Sequence, residues 1–485
     1  MSKSIAKNAV FNMGYNAVSV IFPLVTSAYV ARTLGASGVG EVSSAQNLAT
    51  YFTMIATLGI PSYGVRAIAQ ARIHKEECNR TFSELFVINL FSTVFSLACY
   101  AVLILSLDKT LFSNPLHAIF ASLIAMSIFN IEWLYQGFEE YKYITIRSIL
   151  IKIISFILIF LFVKTEDDVN YYAIVICFGS VGNYLLNLSQ LKKYVSITFK
   201  ELDLKRHFKP IITFFAAVIA VEVYTLLDVT MLTYMCHPEN VGYYSNASKI
   251  VKIVANTITA IGAVLLPRLS LYFASRDEKQ IKKLISNFFD VITMFSLPCC
   301  IGIYLTADEL ISVLFGTSFS PAATTIRFLC PLAVLLPLSG GIFAQILQTS
   351  GKEKYYFMCV CTGAVVNIVL NALLIGRLQE NGAALASVLT ELCVNIVMLA
   401  FAQKVIRIDY ISRDFITSLM SCALLVVLVK MVNLFVPIHS DLLLLLIEVI
   451  VGVVGYLTGL LVLKNSKCYM ILKKFISLSR TVNKS

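Results

Sequence analysis

Charged residues are scarce in this chain of 485 residues. They make up 14% of it, whereas soluble domains carry about 25%, and the mean hydropathy is +0.81. Long polar stretches are also missing between the apolar ones, so we expect no soluble domain large enough for an independent active site. The ten-residue alternation of an outer-membrane barrel is absent as well, because runs such as 149–163 and 442–450 do not alternate between apolar and polar residues. These absences exclude a soluble globular enzyme and leave a helical membrane protein.

Patterns for metal binding and catalysis are equally sparse. The twelve cysteines include no Cys-x-x-Cys pair, and most of them lie in apolar segments, where cysteine packs as a small hydrophobe. All five histidines lie in loops or at the ends of apolar segments, and no long loop is predicted outside the membrane. We therefore predict neither a metal site, nor a cofactor, nor an enzymatic activity.

Apolar segments about twenty residues long are what the chain has in abundance. A helix of about 20 residues crosses a hydrocarbon core of about 30 Å. We read the first segment as a membrane helix rather than a signal peptide, because it is too long and lacks a convincing cleavage site. The sequence predicts an all-α polytopic membrane protein with about 14 transmembrane helices: 10–31, 42–63, 82–106, 115–137, 147–163, 171–191, 211–235, 243–267, 285–306, 322–349, 355–376, 383–402, 415–436 and 441–463.

Positive charge is distributed unevenly between alternate loops. Thirty of the 39 Lys and Arg residues lie in the N-terminus, in every second loop and in the tail. The intervening loops hold only Arg32, Lys109, Lys164 and Arg377. The positive-inside rule then places both termini in the cytoplasm of a multi-pass protein. The net charge of +11 is thus a topology signal that suits anionic lipid head groups, and nucleic acid is not an expected partner.

An internal repeat divides the chain. Residues 39–45 (VGEVSSA) resemble 241–247 (VGYYSNA) at an offset of 202, and Gln136 and Tyr143 match Gln348 and Tyr355 at an offset of 212. Spans 1–6 therefore repeat as spans 7–12 in the same orientation, as in many transporters. We predict an N-terminal bundle at 1–200, a second bundle at 205–404, two extra helices within 411–463, and a basic cytoplasmic tail at 464–485.

Four stretches, spread over most of the chain, resemble one family. They are 31–40 (ARTLGASGVG) with 58–66 (LGIPSYGVR); 130–147 (NIEWLYQGFEEYKYITIR); 242–250 (GYYSNASKI) with 265–270 (LLPRLS); and 348–355 (QTSGKEKY). They are similar to the Wzx-type polysaccharide and O-antigen flippases of the multidrug/oligosaccharidyl-lipid/polysaccharide exporter superfamily. The second stretch is the most specific of the four.

The resemblance implies two six-helix bundles around a central cavity, with two extra C-terminal helices. It also implies a polyprenyl-diphosphate-linked oligosaccharide as substrate, moved from the inner to the outer leaflet of the bacterial cytoplasmic membrane by alternating access. That step serves capsule, exopolysaccharide or O-antigen synthesis, with polysaccharide polymerase machinery as a further partner. The alternative within the superfamily is a multidrug cation or ion antiporter.

Intramembrane charges mark the predicted path of the substrate, because they are costly in lipid. Lys249 and Lys252 lie three residues apart on the eighth span and suit a diphosphate. Four further cations lie towards the cytoplasmic side, where the head group would enter: Arg66, Arg147, Lys152 and Arg268. For Arg66 and Arg147, snorkelling towards lipid phosphates is an equal alternative.

Acidic residues within the seventh span are candidates for ion coupling. Glu222 and Asp228 could accept H+ or Na+, or could form salt bridges with Lys249 or Lys252. The sequence leaves these two readings open. Near Glu132, Trp133 fits an aromatic-belt position at the membrane interface.

Overall fold

A computed structural model describes residues 5–107, 114–263, 265–408, 410–435 and 440–473. Every regular element among these residues is helical. The chain forms two compact units, Met1–Gly242 (unit 1) and Tyr243–Ser485 (unit 2). The division at Gly242 places the whole of the helix Lys205–Met235 in unit 1. The domain boundaries predicted from the sequence repeat stay a prediction.

The described part of unit 1 contains nine α-helices. In chain order they are α1 (Ile5–Thr57), α2 (Ile60–Ala71), α3 (Lys75–Leu107), α4 (Pro115–Met126), α5 (Glu132–Gly137), α6 (Tyr141–Phe162), α7 (Val169–Ser189), α8 (Leu191–Tyr194) and α9 (Lys205–Met235), with α10 beginning at the end of the unit. The long α1 holds the first predicted span and most of the second, because Gly35 (φ 69°, ψ −179°) breaks it into two helical segments. Gly59 (φ 72°) then separates α1 from α2.

Among its described residues, unit 2 contains most of α10 (Pro238–Ala263) and helical residues at 466–473, and nine further α-helices lie between them in the chain. They are α11 (Leu265–Ser275), α12 (Glu278–Leu305), α13 (Ala307–Phe315), α14 (Pro321–Leu329), α15 (Leu332–Leu338), α16 (Ala344–Thr349), α17 (Glu353–Val405), α18 (Arg413–Phe435) and α19 (Asp441–Val462). In α17 two predicted spans join across Gln379, whose φ of 51° interrupts the helix.

The helices agree with the predicted fold class. Each of the fourteen predicted spans coincides with helical segments among the described residues. Ten helices of the described ranges are long and apolar enough to cross a membrane by length and composition. The chain is thus an all-α polytopic membrane protein. Two predicted cytoplasmic loops are partly helical instead, since α2 and α11 follow the second and eighth spans.

Backbone irregularities repeat at the same offset that relates Gln136 to Gln348. The span of α4 ends in a 3₁₀ turn at Ser127–Phe129, and the corresponding span contains a π-helical turn at Ser339–Phe343. Positive φ occurs at Glu139 (61°) and again at Gly351 (70°). Irregular backbone thus occurs at positions related by the predicted repeat offset.

A buried aromatic core holds α2, α3 and α5 together. Trp133 is 2% exposed and packs against Phe82, and a Cβ atom on Gly64 would lie 2.6 Å from its ring. The aromatic-belt interpretation of Trp133 is therefore wrong. The indole fills the space that Gly64 leaves open and so fixes α5 against α2.

Candidate functional site

Polar side chains connect the second segment of α1 to α9 within unit 1. Asn47 donates through Nδ2 to the Thr230 hydroxyl at 2.7 Å and to the Leu226 carbonyl at 3.3 Å. The Tyr51 hydroxyl lies 3.1 Å from the Thr230 hydroxyl, which completes the contact.

A further hydrogen bond joins α1 and α9 one helical turn away. There the Thr233 hydroxyl donates to the Ser44 hydroxyl at 2.9 Å. We call these five side chains, Ser44, Asn47, Tyr51, Thr230 and Thr233, the polar seam. Neutral amides and hydroxyls of this kind can donate hydrogen bonds to a polar ligand and accept hydrogen bonds from it.

A cavity of about 170 Å³ opens beside the polar seam in unit 1. It lies where α1, α4, α9 and the start of α10 meet, at helix ends that are predicted from the charge distribution to face outside. The polar part of its lining consists of Glu41, Ser44, Asn47, Asn114, His117, Thr230, Thr233 and Tyr234. His117 is oriented by Tyr100, whose hydroxyl lies 3.2 Å from its Nδ1. The cavity offers several hydroxyl, amide and imidazole groups and a single carboxylate.

The two acidic candidates of α9 lie in different surroundings. Asp228 is 5% exposed and lies in the turn that carries Thr230 of the polar seam. Glu222 is exposed, and the Thr225 hydroxyl donates to its carboxylate at 3.5 Å. The structure therefore places Asp228, and not Glu222, beside the polar seam.

Lys249 and Lys252 are both half-buried on α10. Within unit 2, no carboxylate of the described residues forms an ion pair with either ammonium group. The two side chains stay close to each other because they are three residues apart on one helix. Two adjacent ammonium groups present a local positive charge that suits an anion.

Arg147 is fixed in a buried network at the start of α6. Its guanidinium pairs with the Glu132 carboxylate at 2.5 Å and also donates to the side-chain oxygen of Asn187, with Tyr143 alongside. Its side chain is 2% exposed. The contacts of Arg147 are therefore with α5 and α7, and neither lipid phosphate nor solvent reaches it freely.

The remaining cationic candidates are more accessible. Arg66 on α2 and Arg268 on α11 are exposed, at equivalent positions of the repeat. Lys152 is half-buried on α6 and interacts with neighbouring groups. The structure thus spreads the six predicted cations over four helices.

Sequence reasoning missed the polar seam. Its signal was present as polar residues at helical spacing within apolar spans, at 44, 47 and 51 and again at 230 and 233. The pairing of α1 with α9 joins segments that are far apart in the chain. This contact forms only in the folded protein, so the spacing of polar residues within either helix could not predict it.

These features are typical of a polytopic helical transporter, since a polar cavity and intramembrane charges lie among membrane-spanning helices for which the sequence predicts a parallel repeat. The chain belongs to the polysaccharide biosynthesis protein family, whose family model matches residues 5–273. A second family model, MatE, matches residues 214–373.

Individual relatives agree with this assignment. A protein of Escherichia coli (strain K12) named "Putative O-antigen transporter" is 24% identical over 425 residues, which cover 83% of this chain and 97% of that protein. Among solved structures, the lipid II flippase MurJ in an inward closed conformation has a TM-score of 0.75 at 15% identity, covering 93% of this chain and 98% of that one. An inward-facing MATE transporter has a TM-score of 0.63 at 13% identity, covering 82% and 97%. Both structures share the fold of this chain.

Proposed function

We propose that the protein is a flippase that moves a polyprenyl-diphosphate-linked oligosaccharide from the inner to the outer leaflet of a bacterial cytoplasmic membrane. The observation that carries the proposal is the match to the polysaccharide biosynthesis family over residues 5–273. The E. coli relative, an O-antigen transporter by name, supports the same substrate class and a transport role rather than a catalytic one. The pathway served is surface polysaccharide assembly, with the polymerase machinery as a partner.

The substrate has parts with different solvation needs. Its polyprenyl tail is stable in lipid, whereas its diphosphate and its sugars cannot cross hydrocarbon without polar partners. In this proposal Lys249 and Lys252 bind the diphosphate as two point charges. Arg66 and Arg268 attract the head group on the cytoplasmic side, with Lys152 of α6 as a further candidate cation.

The sugars need neutral hydrogen-bonding partners, which the polar seam and its cavity supply. Asp228, beside the polar seam, is better placed than Glu222 to bind a coupling H+ or Na+ while the sugars pass. Arg147 serves indirectly, by holding α6 against α5 and α7.

The alternative function is export of cationic drugs. The MatE match at residues 214–373 and the MATE fold support it. An exporter of cations requires an acidic binding site, whereas α10 carries two lysines at the proposed site. The cavity of unit 1 contains one carboxylate, Glu41, among neutral groups. We therefore favour an anionic, sugar-bearing substrate.

The test is the lipid-linked species that accumulates without the protein. We expect deletion of the gene to leave a polyprenyl lipid carrying a complete repeat unit on the cytoplasmic leaflet, with surface polysaccharide lost. Normal surface polysaccharide together with increased sensitivity to cationic drugs would instead assign the protein to drug export.

Variants then locate the site. Lys249→Ala combined with Lys252→Ala should abolish complementation at unchanged protein level. Lys279→Ala combined with Lys283→Ala removes two exposed lysines of α12 and should complement fully. Full activity of the first pair would remove those lysines from the substrate path.

A further inference from the structure

Two glutamates lie where α13 and α19 pack together in unit 2. The Ser312 hydroxyl of α13 donates to the Asp441 carboxylate of α19 at 2.5 Å, which fixes the two helices at one end. Glu309 lies one turn before Ser312 on α13, and Glu448 lies two turns after Asp441 on α19, so both glutamates belong to this helix contact.

Glu448 lies in a helix interface rather than in lipid. It shares one face of α19 with Gly452, Gly455 and Gly459, all of which are buried. These glycines admit side chains of α18, and a Cβ atom on Gly455 would lie 2.4 Å from Leu428. The side chain of Glu448 is therefore 1% exposed. A carboxylate at such a position requires compensation of its charge.

That compensation is missing among the described residues. Both carboxylate oxygens of Glu448 are buried without a hydrogen-bond partner, and so is Oε2 of Glu309. No Lys, Arg or His of the described ranges forms an ion pair with either carboxylate.

The charged groups on the packed helices are occupied elsewhere. Asp308 pairs with Arg327, and Asp290 of α12 pairs with Lys467. From α18 the neutral Asn433 amide lies near Glu448, and Lys430 is exposed. Within the part of the chain that the structure describes, no fixed positive charge thus neutralises the two glutamates.

Two neighbouring carboxylates in a medium of low polarity cannot both be ionised without a cation. A carboxyl group that holds a proton becomes a donor, and the facing carboxylate is its natural acceptor. We propose that Glu309 and Glu448 form a proton-binding site in which the two carboxyl groups share one proton. The site belongs to the last two helices and their neighbour α13, and it does not depend on which substrate the protein moves.

Labelling with dicyclohexylcarbodiimide tests the site directly, because this apolar reagent modifies protonated carboxyl groups in apolar surroundings. The full-length protein in lipid nanodiscs would be labelled across a pH series and the modified residues mapped by mass spectrometry. We expect modification of Glu448 at neutral pH, a decline as the pH rises, and no protection by Na+ at constant pH.

Substitutions test whether the two glutamates interact. Glu309→Gln removes the negative charge beside Glu448, so the pH midpoint for labelling of Glu448 should move about one pH unit lower. The control Glu353→Gln changes an exposed glutamate of α17 and should leave the midpoint unchanged. If Glu309→Gln does not fold, the pH and Na+ series on the protein with its own sequence test the proposal without it.

Two results would overturn the proposal. The first is an unmodified Glu448 throughout the neutral and acidic range. The second is protection of Glu448 by Na+, which would assign the site to an alkali cation. Neither readout involves transport, so this test and that of the proposed function fail independently.

Discussion

Gly40 and Gly242 form a reciprocal contact that no other residue type can make. A Cβ atom on Gly40 would lie 1.7 Å from the Pro238 carbonyl oxygen, and one on Gly242 would lie 2.1 Å from that of Ala36. Gly40 and Gly242 are 202 residues apart, and so are Ala36 and Pro238. The contact is therefore symmetric with respect to the repeat offset. Backbone atoms cannot move aside as a flexible side chain can.

We expect Gly40→Ala and Gly242→Ala each to destabilise the protein by about 3 kcal/mol or more, because the helices must separate. The measurement is the fraction of a fluorescent fusion that stays monodisperse after heating in detergent. Gly376→Ala is the control, since a Cβ atom there meets nothing within 4 Å and alanine favours a helix. If all three variants keep the same monodisperse fraction after heating, the close approach of the two helices is not required for stability.

Arg147 and Glu132 give an asymmetric prediction, because their side chains are 2% and 34% exposed. In Glu132→Gln the buried guanidinium loses its counter-charge, at a cost of about 3 kcal/mol. In Arg147→Gln the carboxylate that remains can be hydrated, so the cost should be about 1 kcal/mol. The measurement is thermal stability of the two purified variants. If both variants keep full stability but lose transport, Arg147 acts on the substrate rather than as a structural anchor.

At the scale of elements, Glu84 joins three helices on the side predicted to be cytoplasmic. This fully buried carboxylate of α3 accepts hydrogen bonds from Arg80 at 3.0 Å and from Arg206 of α9 at 2.8 Å, and it contacts His207 Nε2 at 2.8 Å. The other ring nitrogen of His207 lies 2.8 Å from the Tyr63 hydroxyl of α2. One imidazole and one carboxylate thus hold α2, α3 and α9 together.

This junction should make stability depend on pH. Burial lowers the pKa of His207, which precedes the predicted span of α9, below its usual value of about 6.5. The unfolded chain therefore binds the proton more tightly than the folded protein, so stability is complete above about pH 6.5 and declines as the pH falls below it. We expect His207→Gln to flatten this decline in melting temperature between about pH 7 and pH 5. An unchanged slope would mean that His207 does not titrate differently on folding.

Sequence reasoning predicted the spans because the bilayer sets their length, and it failed where distant contacts decide the backbone. The π-helical turn at Ser339–Phe343 is an example. Asn395 donates to the Leu335 carbonyl at 3.1 Å, and Ser339 bonds to Glu391, so a helix distant in the sequence supplies the partners of the irregular turn. The polar seam was hidden for the same reason, since Asn47 and Thr230 are each ordinary residues in their own helices. The charged residues, by contrast, could be predicted as site candidates because they are rare within apolar segments.

At the scale of the whole molecule, the predicted parallel repeat leads to a prediction of topology. Six spans are an even number, so we expect equivalent positions of the two sequence halves on the same side of the membrane. An inverted repeat would place them on opposite sides. The uneven distribution of Lys and Arg further predicts that the short loop after α6 lies outside and that the loop before α9 lies in the cytoplasm.

Alkaline phosphatase fusions test this arrangement, because the enzyme is active only after export. We expect activity for fusions after Glu166 and after Leu378, which are equivalent positions of the repeat. Fusions after Phe199 and after Ile411, a second equivalent pair, should be inactive, and a fused green fluorescent protein should fluoresce at those two positions instead. Activity after Glu166 but not after Leu378 would contradict a parallel repeat. Activity after Phe199 and Ile411 alone would invert the whole topology and would place Arg66 and Arg268 outside, where they could not receive a substrate made in the cytoplasm.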